Sequence, residues 1–226
     1  MDEHESDTQS FMMSEPVEQV ELKDGEVTVE ELTDEGRARI REQLAKMRAG
    51  SRPKRKGLVM VYTGNGKGKT TAALGLLFRA WGHDLRVVML QFLKAKTGTW
   101  GEIRAAQRMG IELIPLGQGF TWTSENLEHD RALAQQCWQQ CREKIESDQY
   151  DVVIMDEITY ALRYQWLDLE DVLTTLRARN PEMHVLLTGR DAPQALLDYA
   201  DLVTEMHEVK HPYTTQGLLA QRGVDF

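Results

Sequence analysis

Apolar positions along the chain fall into short unbroken runs separated by amphipathic stretches. Leu58–Tyr62, Arg86–Phe92, Ile111–Pro115, Tyr150–Glu157 and Met183–Thr188 are such runs, rich in Val, Ile, Leu and Met. Nearly continuous apolarity predicts strands central in a sheet that is covered on both faces. A last strand is expected over Leu202–Val209. Between the runs, helices are predicted at Lys69–Trp81, Gly101–Met109, Ser124 to about Ser147, from Asp168 to Asn180-Pro181, and at Ala192–Tyr199. The longest buries Leu127, Ala134, Trp138, Cys141 and Ile145. Its acids Glu125, Glu128 and Asp130 sit in the first turns, and Arg142 and Lys144 in the last, matching the helix dipole. Strands alternate with helices throughout, without an internal repeat. That pattern predicts a doubly wound, mostly parallel α/β sheet with helices on both faces.

The first thirty residues have no periodic apolar face and read as disordered, with a short extended piece near Glu26–Val29. Thr33 or Asp34 caps a helix running to about Arg48. Its apolar positions Ile40, Leu44 and Met47 make one stripe, and Gly50-Ser51-Arg52-Pro53 ends it. One stripe on a short helix must dock on something, its own domain or a partner subunit. The expected organisation is an acidic tail over 1–33, a helix over 34–50 and a domain over 57–226.

Charge sharpens this division. Residues 1–35 carry thirteen acids and one lysine; residues 36–56 carry nine Lys and Arg and one Glu. The net charge of −9 therefore leaves a mildly acidic domain, which argues against nonspecific nucleic-acid binding. No apolar run approaches the ~18–20 residues of a membrane span, and no signal peptide is visible. Two cysteines, Cys137 and Cys141, lie on a helical pattern as small apolar positions. A cytoplasmic protein with reduced thiols is the default expectation.

The chemistry starts where the first strand ends. Thr63-Gly64-Asn65-Gly66-Lys67-Gly68-Lys69-Thr70-Thr71 is a glycine-rich loop between a strand and a helix. Strand, glycine loop, Lys-Thr and helix is the layout of a phosphate-binding loop. Backbone N–H groups and the helix N-terminus favour an anion there, Lys69 can reach phosphate oxygens, and the Thr70 hydroxyl can ligate Mg²⁺. The usual pattern has glycine where this chain has Thr63. Tyr150–Glu157 ends in Asp156-Glu157, which reads as the carboxylate motif holding Mg²⁺ beside Thr70. Thr188-Gly189-Arg190 ends the fifth strand; Arg190 either reaches the crevice or pairs with Asp191 or Asp198. Phe120 and Trp122 lie on a glycine-bracketed loop, either packing on the domain or offering a flat wall to a planar ligand. The fold expected is thus P-loop NTPase-like (RecA-like). A kinase, an ATPase and a nucleotide-dependent transferase all remain open on these residues.

Taken jointly, Gly64–Ala73, Phe120-Thr121-Trp122, Asp156-Glu157 with Thr159-Tyr160, Thr188-Gly189-Arg190 and Gly223-Val224-Asp225-Phe226 resemble the ATP:corrinoid adenosyltransferases of the bacterial cobalamin-synthesis type. The match runs over about residues 34–226. The resemblance implies transfer of the 5′-deoxyadenosyl group of ATP to the Co(I) of a corrinoid, with triphosphate as leaving group. It implies that Thr63 to Thr71 and Arg190 bind ATP, and that Thr70, Glu157 and Asp156 hold Mg²⁺. Phe120 and Trp122 would press on the corrin and displace its axial ligand, so that Lys69, Thr70, Phe120 and Trp122 carry the chemistry. It further implies a homodimer, with the 34–50 helix as a lid, and a reduced flavoprotein as electron donor. The competing readings are a small-molecule kinase or ATPase, and a nucleotide-binding regulatory module.

Overall fold

The structure is a computed structural model and describes residues 38, 56–95, 98, 100–117 and 127–225. The chain divides into two compact units, Met1–Lys54 and Arg55–Phe226. In the first, Ala38 is helical and exposed. The expected acidic tail and the rest of the 34–50 helix lie outside the described residues, as do Phe120 and Trp122.

The second unit is a six-stranded, all-parallel sheet in the order β3-β2-β4-β5-β1-β6. The strands are β1 (Val59–Thr63), β2 (Val87–Ala95), β3 (Glu112–Gly117), β4 (Val152–Asp156), β5 (His184–Thr188) and β6 (Leu202–Glu205). The helices are α1 (Lys69–Trp81), α2 (Gly101–Met109), α3 (Leu127–Glu146), α4 (Ile158–Arg163), α5 (Leu169–Ala178), α6 (Gln194–Tyr199) and α7 (Pro212–Gln216).

Alternate strand residues feed two separate cores. Met60, Met89, Ile154 and Leu186 meet Ala73, Leu77 and Ala80 of α1 and Ala106 of α2. Val61, Leu90, Met155 and Leu187 meet Trp138 and Cys141 of α3, Val172 and Leu176 of α5, and Leu196 of α6. Both sides of each central strand are therefore buried, which is why those strands read as unbroken apolar runs. Each Val, Leu, Ile or Met so buried contributes roughly 1.5–3 kcal/mol. From β1 the chain moves outward through β2 to β3 with helices on one face, then returns through β4, β5 and β6 with helices on the other. Opposite directions of travel put crossovers on opposite faces when each has the usual right hand. The strands being parallel, β1, β2, β4 and β5 deliver their C-terminal ends to one edge, where β1 and the returning strands part. This is the P-loop NTPase-like, RecA-like doubly wound sheet expected from the alternation.

Several elements differ from the expectation, and the short helix α7 falls where none was expected. β6 stops at Glu205, not Val209. Its last residue pairs with Thr63, where β1 ends, so the ladder runs out of partner. β2 continues to Ala95, meeting Gly117 of β3 past a register shift. Helix α4 shows no amphipathic signature because Ile158 to Leu162 are all buried, so no polar face marks its period.

Candidate functional site

The phosphate loop is held from below by the segment after β6. Met206 N donates to Thr63 O at 2.9 Å, and Gly66 N donates to Met206 O at 2.7 Å. Gly64 has φ +91°, and a Cβ there would collide with Met206 O; only glycine satisfies both the left-handed backbone and the close approach. Lys69 opens α1, is 5 % exposed, and folds its Nζ back onto the loop. It donates to Gly64 O and Gly66 O, each at 2.8 Å. Two of its three N–H bonds thus shape the loop, leaving one for a phosphate oxygen. Burial pushes the Lys69 ammonium below the ordinary lysine range, against the pull of Glu157.

Asp156, 1 % exposed, is the acceptor on which the centre converges. Thr188 Oγ1 donates to its Oδ1 at 2.7 Å, Thr70 Oγ1 to Oδ1 at 3.0 Å, and Gln91 Nε2 to Oδ2 at 3.1 Å. Strands β2, β4 and β5 and the start of α1 each supply one of these groups. Glu157 follows with φ +63°, an uncommon conformation for a residue with a Cβ. Its N–H is held by Thr188 Oγ1 at 2.9 Å. The adjacent acids therefore take different roles. Asp156 is locked in a web of neutral donors, and Glu157 is a cleft-lining carboxylate between Lys69 and Arg190. Burial, then the charge of Asp156, raises the Glu157 carboxyl above the usual carboxylate range.

These groups line one cleft of about 670 Å³, within the size range of small-molecule sites. Gly66 to Thr71, Asp156, Glu157 and Arg190 all contribute to it, whereas Thr63, Gly64 and Asn65 do not line it. Arg190 reaches the crevice. Asp191 pairs instead with Arg163 at 2.5 Å, and Asp198 accepts from Gln194 at 2.7 Å. Lys67 ion-pairs with Asp225, whose carboxyl this contact holds below its usual range. An anion seeking Lys67 must therefore compete with that carboxylate.

The donor set can be tested against a divalent cation. Thr70 Oγ1 and the carboxylates of Asp156 and Glu157 are all hard oxygens, the kind Mg²⁺ takes. Gln91 Oε1 is fully buried beside Asp156 without a hydrogen-bond partner. Among the described residues no cluster of three His, Cys, Asp or Glu could hold a metal by itself. The residues fit an ion completed by phosphate oxygens and water, which is how Mg²⁺ usually sits.

Glu157 carries a prediction. A carboxyl raised in the folded state binds more protons folded than unfolded. Stability therefore falls as pH rises from the usual carboxylate range through the raised value. Glu157→Gln is expected to raise the Tm of ligand-free protein at pH 7, with the gain shrinking as pH falls toward 4. Melting curves at both pH values check this.

Several site residues carry no local sequence signal. Gln91 sits inside an apolar strand. Lys94 ion-pairs with Glu102 and lies 4.7 Å from the Trp100 ring centre, and all three line the cleft. Asp225 meets Lys67 only through the fold.

The family model described as ATP:corrinoid adenosyltransferase BtuR/CobO/CobP matches residues 55–226. The corrinoid adenosyltransferase CobA of Salmonella typhimurium is 39% identical over 201 residues, covering 86% of this chain and 100% of the relative. The corrinoid adenosyltransferase of Escherichia coli K12 is 40% identical over 173 residues, 76% of this chain and 86% of the relative. That of a Sinorhizobium species is 40% identical over 174 residues, 76% and 81%. The matched span holds the loop, both acids and Arg190, and the chain belongs to the ATP:corrinoid adenosyltransferase family.

Proposed function

We propose that this protein transfers the 5′-deoxyadenosyl group of ATP to the Co(I) centre of a corrinoid and releases triphosphate. The observation that carries the reading is the meeting of Lys69, Thr70, Asp156 and Arg190 in one cleft, in a chain that spans the whole length of a corrinoid adenosyltransferase at 39% identity. In the reaction the cobalt electron pair attacks C5′ of the ribose. A cobalt–carbon bond forms, the C5′–O bond breaks, and triphosphate leaves with that bond's electrons. The step needs no general base, because Co(I) is itself the nucleophile. What the protein must supply is position and charge. Lys69, the loop amides and Arg190 face the triphosphate and offset its growing charge. Mg²⁺ held by Thr70, Asp156 and Glu157 would add Lewis-acid stabilisation of the same oxygens. The loop is a cradle for a leaving group, with ATP reversed relative to a phosphoryl-transfer enzyme so that C5′ faces the cobalt.

Phe120 and Trp122 are proposed to press on the lower face of the corrin and displace its axial ligand, making Co(II) easier to reduce. A reduced flavoprotein supplies the electron, and the protein acts as a cytoplasmic homodimer with helix 34–50 closing over the corrinoid. Among the described residues, no helix is long and apolar enough to cross a membrane. The test is to mix protein, ATP, Mg²⁺ and chemically reduced cobalamin and follow the visible spectrum. An adenosylated product is expected; none, with orthophosphate released, rejects the reading. Trp122→Ala is expected to keep the rate with pre-reduced Co(I) within about 3-fold of wild type. The same variant should lose about 10-fold or more from Co(II) with a flavoprotein reductant, a loss of about 1.4 kcal/mol or more in barrier relative to wild type. Equal losses in both assays would remove the axial-displacement role.

A further inference from the structure

Thr63 occupies the loop position where glycine is usual, and its side chain is not in the cleft. It is 7 % exposed, at the end of β1. Its hydroxyl accepts a hydrogen bond from Ala192 N at 3.2 Å, and its carbonyl accepts from Met206 N at 2.9 Å. Ala192 closes the turn Gly189-Arg190-Asp191 that follows β5, the neighbour of β1 in the sheet. The same turn is held at two more points. Gly189 N donates to Tyr62 O at 3.1 Å, and Thr159 Oγ1 donates to Arg190 O at 2.8 Å. Gly189 has φ +138°, and a Cβ there would collide with Thr159 Oγ1, so the turn is built for this tight seat. The Arg190 side chain lines the cleft and, among the described residues, forms no ion pair. A glycine at position 63 offers no side-chain acceptor to this turn.

We infer that Thr63 is a positioning residue that fastens the Arg190 turn to the phosphate loop. The loop brings Lys69 and the turn brings Arg190, and the Thr63 hydroxyl sets the distance between the two cations. A phosphate chain spanning both then meets them in a fixed relation, without ordering the turn on binding. The inference rests on the proposed reading of the cleft as the triphosphate site, and needs nothing from the corrinoid step.

The test is ATP affinity by calorimetry, on the full chain with Mg²⁺ and no corrinoid, in a double-mutant cycle. Thr63→Val keeps the shape and removes the acceptor. It is expected to weaken ATP binding about 3- to 10-fold in the wild-type background, the scale of one hydrogen bond. In an Arg190→Ala background the same change is expected to cost less than about 2-fold, the coupling having been removed. Thr63→Ser, which restores the acceptor, is expected to bind like wild type, and Thr63→Gly like Thr63→Val. Equal losses with and without Arg190 overturn the inference, as does a serine variant as weak as the glycine one. If coupling is found but no adenosylated product forms, the reaction assignment fails and this inference stands. Product formation without coupling overturns this inference alone.

Discussion

Lys69→Ala is expected to lower kcat/KM for ATP by about 10³-fold, a loss of roughly 4 kcal/mol in transition-state stabilisation. Two effects add. The variant removes the buried ammonium of the phosphate loop. It also unpairs Gly64 O and Gly66 O, which now share that ammonium at 2.8 Å, so the loop loses the strut that shapes it. Lys69→Arg separates the two effects. The charge is kept, but a planar guanidinium on a longer stem does not reproduce a compact ammonium held between two carbonyls at 5 % exposure. Arginine is therefore expected to recover less than a tenth of the lost rate. Steady-state kinetics with pre-reduced cobalamin measures both variants, and circular dichroism confirms that the sheet is kept.

Asp156→Asn is expected to cost about 10²-fold in kcat/KM with a Tm close to that of wild type. The separation of activity from stability follows from the partners. Asp156 accepts from Thr188, Thr70 and Gln91. An asparagine turns one of its two acceptors into a donor, and in most buried sites that would leave two donors facing each other. Here Gln91 Oε1 is buried and unpartnered. A flip of the Gln91 amide brings that oxygen to the new N–H₂ group and remakes this hydrogen bond with its direction reversed, while the Gln91 N–H₂ takes the place that had no partner before. What does not return is the negative charge beside Thr70 that a divalent cation needs. The expected signature is weakened Mg²⁺-dependent ATP binding in a protein that melts normally. A large fall in Tm would mean that Asp156 serves the core rather than the ligand.

Much of the scaffold was legible because the two-sided core writes itself into the chain. Val88 to Leu90, Val152 to Met155 and Val185 to Leu187 are buried on both faces, so apolarity alone marked them. The phosphate loop was legible because glycine, lysine and threonine are each required by a local geometry. The parts that escaped notice are those whose pattern is erased or made non-local. Helix α4 is buried all round. Glu157 departs from its neighbour through a backbone angle that its residue type does not announce. The end of β6 depends on where β1 ends, at Thr63, which pairs with Glu205 far along the chain. Thr63 looked like a misfit in a motif. Only the fold shows that its hydroxyl meets Ala192, 129 residues away. Likewise, the open choice between the crevice and a surface pair for Arg190 turned on Arg163, which pairs with Asp191 in its place.

The most direct test of the central claim is phosphorus NMR on a single reaction of the full-length protein with ATP, Mg²⁺ and chemically reduced cobalamin, read together with its visible spectrum. The account predicts intact triphosphate appearing one for one with the cobalt–carbon product. ADP and orthophosphate appearing without that product would contradict it and point to a kinase or ATPase built on the same loop.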